Sequence, residues 1–117
     1  MVSSRQVLGA AGEDAVVAWY ESRGYIVVAR NWRAGRTGEI DIVARFGSTC
    51  AICEVKTRST SAFGTGFEAV TFDKQRRLRR LAAAWLGAQE PREWLDVRFD
   101  VASVSAEGQV EMIEGAF

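Results

Sequence analysis

Asp41, Glu54 and Lys56 are the side chains of this chain whose types and spacing best suit chemistry. Ala51-Ile52-Cys53-Glu54-Val55-Lys56-Thr57 is apolar enough to be a central, buried strand, yet it carries an acid and a lysine two positions apart. Strand side chains repeat every two residues, so Glu54 and Lys56 project from one face. The preceding segment, Glu39-Ile40-Asp41-Ile42-Val43-Ala44, is expected to put Glu39 and Asp41 on one face and Ile40 and Ile42 on the other. If the two strands pair as a hairpin, Asp41 and Glu54 converge. Buried carboxylates are costly unless they are paired, cation-bound or at an opening. Two acids and a lysine on rigid strands suit a divalent metal ion held by oxygen ligands, magnesium or manganese. The chemistry that needs this set is phosphodiester hydrolysis. Asp41 and Glu54 would be the metal ligands, with a backbone carbonyl near Val55 and several waters. The cation polarises the phosphate and acidifies a water, and Lys56 orients that water or meets the charge developing on the phosphate. An ordinary ion pair on an exposed strand face has the same Glu-x-Lys pattern, and that alternative stays open at this point.

The count of zero histidines removes Ser-His-Asp and Cys-His catalysis, histidine-based nucleases and imidazole zinc sites. Cys50 and Cys53 form a C-x-x-C, but there is no second cysteine pair and no histidine to complete a zinc site. The motif lies inside a strand, where positions i and i+3 face opposite sides, so both are read as small core residues. The 117 residues suit one domain, and 48% hydrophobic with 26% charged residues reads as an ordered globular chain. The longest apolar runs, such as Ala15 to Tyr20, are too short to span a bilayer. Val2-Ser3-Ser4-Arg5-Gln6 is too polar for a signal-peptide core, so no membrane association and a cytoplasmic address are expected.

The elements that must position these residues follow from periodicity. Leu8, Ala11, Ala15, Ala18 and Trp19 recur at helical spacing and Gly24 is a stop, which predicts a helix over residues 5–23. Tyr25 to Ala29 is β-rich and extends toward Trp32, and residues 34–38 form a turn. Strands follow at 39–44 and 50–57, joined through Gly47-Ser48. Residues 59–67 read as a loop. A second helix is expected over 73–86, burying Leu78, Leu81 and Trp85 and stopped by Pro91. Strands at 96–104 and 109–113 complete the order α-β-β-β-α-β-β, an α/β fold with a central mixed β-sheet.

Net charge is zero, but it is unevenly distributed. Residues 90–117 hold seven acids and two bases, a net of −5, which leaves +5 on the first 89. Lys74-Gln75-Arg76-Arg77-Leu78-Arg79-Arg80 packs five positive charges into seven positions. Such a run can bind phosphates, and it is equally the mark of a solvated helix face. Thirteen of the fifteen bases are arginine, a bias that genome composition explains as readily as chemistry does.

Taken together, the motifs are more specific. Gly12-Glu13 on the first helix is followed by Gly38-Glu39-Ile40-Asp41-Ile42-Val43-Ala44 and Glu54-Val55-Lys56-Thr57-Arg58. Phe63-Gly64, Glu68-Ala69-Val70, Lys74-Gln75-Arg76-Arg77-Leu78 and Arg98-Phe99-Asp100-Val101 complete the series. Over residues 9–114 the chain resembles the bacterial YraN-like family of predicted endonucleases, in the PD-(D/E)XK nuclease superfamily and related to archaeal Holliday-junction resolvases. The resemblance implies a restriction-endonuclease-like fold and a magnesium- or manganese-dependent endonuclease acting on branched or structured DNA. It makes Asp41, Glu54 and Lys56 the motif's two acids and its lysine, with Ile40 where the motif's proline would stand. It also adds Glu13 as an acid near the metal. The helical wheel does not support Glu13, which lies about 120° from the centre of the predicted apolar stripe and is exposed by default. Arg36, Arg58, Lys74, Arg76, Arg77 and Arg80 become candidates for contacts to the nucleic-acid backbone, with Arg79 equally a plain surface charge. Such contacts position DNA without reading its sequence. A symmetric homodimer is the assembly that the resemblance implies.

Two other functions compete with the nuclease. One is a nucleic-acid-binding module that keeps the fold but does not cut, or cuts only with a partner. The other is a protein-interaction domain that docks through its acidic C-terminal part.

Overall fold

The structure, a computed structural model, describes residues 4–58, 70–89 and 94–117, with side chains from residue 9 onward. The expected loop at 59–67, the Phe63-Gly64 and Glu68-Ala69 motifs, the Pro91 stop and the Leu8 side chain lie outside the described residues. The elements run α1 (Ser4–Ser22), β1 (Ile26–Arg33), β2 (Glu39–Phe46), β3 (Thr49–Thr57), α2 (Phe72–Gly87), β4 (Asp96–Val104) and β5 (Val110–Ile113). This is the order read from the sequence, an α/β fold with a five-stranded mixed sheet and two helices.

The strands lie side by side in chain order, β1-β2-β3-β4-β5. Two hairpins build the first half. In the β1–β2 turn, Thr37 N donates to Ala34 O at 3.0 Å and Ala34 N to Gly38 O at 3.2 Å. Gly35 and Gly38 have φ of +54° and +133°, a region glycine enters without a β-carbon clash. The β2–β3 connection is the short Gly47-Ser48 turn, with Gly47 at φ +58°. β3 and β4 are parallel from Thr49↔Asp96 to Thr57↔Val104, so the chain must cross over between them, and α2 lies on that crossover.

The helices cover opposite faces of the sheet. Val16 and Tyr20 of α1 pack with Ile42, Ala44, Ala51, Cys53, Ala102 and Val104. Leu78, Leu81, Ala82 and Trp85 of α2 pack with Ile40, Val43, Cys50, Ile52 and Phe99. Burying each large side chain contributes about 1.5–3 kcal/mol. Cys50 and Cys53 are buried free thiols in different clusters, as the strand period requires. Burial pushes the Cys50 thiol up to about 11 and the Cys53 thiol higher still, so both stay protonated and inert. Among the described residues no helix is long and apolar enough to cross a membrane.

Two expectations are corrected. The buried stripe of α1 is Gly12, Val16 and Tyr20, whereas Ala11 and Ala18 are exposed. Alanine is a good helix former on either face, so its recurrence misplaced the stripe. Ile40 and Ile42 do not share a face either: Ile40 joins the α2-side core and Ile42 the α1-side core. The alternation breaks at Asp41.

One buried charge escaped the pattern reading. Asp100 on β4 is 1% exposed. Arg98 donates to it twice, from Nε to Oδ1 and from Nη2 to Oδ2, each at 2.8 Å. Tyr20 Oη donates at 2.6 Å and Gly115 N at 3.1 Å. Burial and these carboxylate contacts hold the Tyr20 phenol far above its ordinary range, so it serves only as a donor. Arg98 also lies 3.6 Å from Glu114, and Arg58 lies 3.8 Å from Glu111. The acidic C-terminal segment is thus partly neutralised by the protein itself.

Candidate functional site

Asp41 occupies the point where two strands part. The β2–β3 ladder ends at Ile42↔Cys53. Beyond that pair, Asp41 Oδ2 accepts a hydrogen bond from Val55 N at 2.8 Å, so a side chain serves β3 where β2 no longer pairs. This explains the break in alternation: Asp41 turns into the gap, and Ile40 is left to the opposite core. Glu54 and Lys56 follow the period of β3 and lie at its C-terminal end, beside the parallel strand β4. In open α/β sheets the crevice at the carboxyl ends of parallel strands is the usual place for a ligand site.

The carboxylates feel one another. The Asp41 carboxyl is pushed up to about 7, first by burial, then by the charge of Glu54, with smaller contributions from Glu13 and Glu39; the bond from Val55 opposes the shift. A carboxyl whose ionisation is opposed by burial and by a neighbouring carboxylate marks a place where positive charge is favoured. The protein brings two ammonium groups to it. Lys56 Nζ is 3.2 Å from Glu54 Oε1, and Lys74 Nζ is 3.4 Å from the same oxygen. Burial and the adjacent Lys56 lower the Lys74 amine. For Lys56, burial works in the same direction but is outweighed by the contact with Lys74 and the charge of Glu54, so its amine is raised.

α1 delivers Glu13. Gly12 is buried against Thr57 at the end of β3, where a β-carbon on residue 12 would overlap Thr57 Cγ2. The missing side chain permits the close approach. Measured from Val16, the middle of the actual stripe, Glu13 is only about 60° away at 100° per residue. Its side chain is 17% exposed, not the exposed glutamate that the wheel predicted. Asn31 Nδ2 donates to Glu13 Oε1 at 3.0 Å, and Arg30 Nη2 lies 3.6 Å from that oxygen. Asn31 falls opposite Asp41, between the pairs Arg30↔Ile42 and Trp32↔Ile40, and has φ +51°. Asparagine is among the few residues that tolerate this conformation. Its role left no mark in the sequence pattern, which treated residue 31 as ordinary strand.

Asp41 and Glu54 fit a hard divalent cation in donor type, and the elevated Asp41 carboxyl fits a site that gains from added positive charge. Among the described residues no group of three acidic or thiol side chains comes close enough to make a full cage. The protein's share would be these two carboxylates, leaving the remaining positions to backbone, water and substrate, as magnesium commonly requires.

The basic candidates separate. Lys74 joins the carboxylates from the first turn of α2, whose N-cap, Thr71 Oγ1, accepts from Lys74 N at 3.2 Å. Arg77 and Arg80 are exposed on α2, and Arg36 is exposed in the β1–β2 turn. The Arg77 side chain runs past Gly38 of the same turn. Arg76 is engaged by Asp73 at 2.8 Å, and Arg58 leans toward Glu111 on β5. Arg79 is exposed and lies over the rings of Phe99 and Phe117, at 5.1 and 5.4 Å.

Fold and site define an α/β protein with a carboxylate–lysine cluster at the C-terminal end of β3, beside the parallel strand β4. The model of the uncharacterised protein family UPF0102 matches residues 12–104, from Gly12 of α1 to the last residue of β4. A UPF0102 protein of Nocardia farcinica is 50% identical over 103 residues, covering 88% of this chain and 80% of its own. One from Parafrankia sp. is 49% identical over 116 residues, covering 96% and 97%. The chain belongs to the UPF0102 family, the YraN-like family of the sequence motifs.

Proposed function

We propose that this protein is a metal-dependent endonuclease that hydrolyses phosphodiester bonds in branched or structured DNA, on a restriction-endonuclease-like version of the α/β fold. The observation that carries the reading is Asp41 turned into the gap between β2 and β3, beside Glu54 and Lys56. Asp41 and Glu54 would hold magnesium or manganese. The cation supplies Lewis-acid polarisation of the phosphate and a more acidic water. Asp41 is oriented by Val55 N, and Glu13 adds negative charge from α1, held by Asn31. Lys56 presents a compact ammonium to a phosphate oxygen or to the attacking water. Arg36, Arg77 and Arg80 offer backbone contacts outside the pocket.

The test is cleavage of a four-way junction, a flap, a duplex and a single strand, each with magnesium, manganese or EDTA. Metal-dependent cutting lost in Asp41→Ala and Glu54→Ala supports the nuclease. Cutting that survives both variants marks a contaminant and refutes the assignment.

A second reading draws on the two ammonium groups already at Glu54: a binding module that keeps the nuclease fold and does not cut. Salt-sensitive DNA binding without cleavage, undiminished in Glu54→Ala, favours it.

A further inference from the structure

The chain has two lysines against thirteen arginines, and both lysines reach one oxygen, Glu54 Oε1, at 3.2 and 3.4 Å. They come from different elements, Lys56 from β3 and Lys74 from the first turn of α2. Every other positive side chain of this protein is an arginine. A structural ion pair with Glu54 needs one cation. The second ammonium shares that one carboxylate oxygen and so lies near a like charge, an arrangement that invites an anion. An ammonium is a compact point charge with three rotatable donors, which a planar guanidinium does not reproduce.

We propose that Lys74 is a second active-site cation, whose ammonium binds the substrate phosphate at the Asp41–Glu54 centre rather than the DNA backbone along α2. The proposal rests on the nuclease reading and deepens it. Glu54 holds Lys74 in the structure. Were Glu54 to hold a divalent ion, Lys74 would lose that acceptor, and a phosphate at the same centre would replace it. Lys74 is half-buried on a capped helix turn, so its reach is short and its position defined.

The experiment compares the parent with Lys74→Met, Lys74→Arg and, as a charge control, Arg23→Ala, whose guanidinium stacks on Trp19. Manganese affinity is read by electron paramagnetic resonance. DNA affinity is read by anisotropy of a labelled four-way junction across a salt series, and thermal melting reports folding. In Lys74→Met, manganese is expected to bind several-fold tighter, because Glu54 loses a competing ammonium. DNA is expected to bind more weakly, with a salt slope reduced by about 0.9, the value of one phosphate contact. Lys74→Arg is expected to retain the slope but lose cleavage at least tenfold in kcat, and Arg23→Ala to change neither affinity. A structural role would weaken both affinities together. That result, an unchanged salt slope in Lys74→Met, or full activity in Lys74→Arg overturns the proposal while leaving the nuclease standing. If the parent binds neither manganese nor DNA, both the nuclease reading and this proposal fall.

Discussion

Replacing Asp41 by asparagine should stabilise the protein at neutral and alkaline pH in the absence of metal. The amide of an Asp41→Asn variant would keep an oxygen to accept from Val55 N and would lose only the charge. The Asp41 carboxyl is raised from its ordinary 3.8 to about 7, so the fold favours its protonated form. Below pH 3.8 the group is protonated in both folded and unfolded chains and carries no penalty. As pH rises toward about 7, the unfolded chain ionises freely while the folded one resists, and stability falls. At ~1.36 kcal/mol per pH unit, the full span corresponds to roughly 4 kcal/mol. Asp41 is only half-buried, so solvent screening leaves an expected gain of about 2 kcal/mol. That corresponds to roughly 6–10 °C in Tm for a chain of this size. Urea unfolding of both proteins in EDTA, from pH 4 to pH 8, should show a difference near zero at the acid end that widens to its maximum above pH 7. A variant less stable than the parent at pH 8, or a difference independent of pH, refutes the account of Asp41 as a carboxylate that awaits positive charge.

Three further outcomes follow from the packing. Tyr20→Phe removes the 2.6 Å donor to buried Asp100 and should cost about 2 kcal/mol in denaturant unfolding; a loss under about 0.5 kcal/mol would mean that Arg98 and Gly115 already satisfy that carboxylate. Gly12→Ala in a free helix would stabilise by up to ~1 kcal/mol, but here the overlap with Thr57 Cγ2 should reverse the sign and cost ~1–3 kcal/mol. Adding Thr57→Ser, which deletes that methyl, should recover at least half of the loss, and strict additivity of the two changes would disprove the clash. Asn31→Gly should be more stable than Asn31→Ala by roughly 1 kcal/mol, since alanine resists φ +51° and glycine does not; equal urea midpoints would argue against a left-handed residue 31.

Much of the molecule was legible because periodicity is local. The β3 segment, apolar yet carrying Glu54 and Lys56, announced both a buried strand and an acid and a lysine that meet on it. Gly35, Gly38 and Gly47 marked the hairpins that align Asp41 with the end of β3. Other features were hidden for specific reasons. Alanines on α1 mimicked a buried stripe and so rotated Glu13 away from the sheet on the helical wheel. The strict two-residue period of β2 could not show a strand that turns at Asp41, because that turn depends on the loss of pairing with β3. Asp100 looked like one more acid in an acidic segment, and its buried network needs Tyr20 from eighty residues away.

The sequence alone determined the elements, their order and the donor chemistry, because strand and helix periods, glycine turns and the absence of histidine act within short stretches of chain. Only the tertiary structure decided which of those residues meet. Crossing from β3 through α2 to the parallel strand β4 sets the first turn of α2 beside the end of β3, and so puts Lys74 on Glu54. Close packing at Gly12 brings Glu13 toward Asn31, and the parting of β2 from β3 gives Asp41 its place. Each of these contacts joins segments far apart in the chain, and the interactions that hold them exist only once the sheet and both helices have packed.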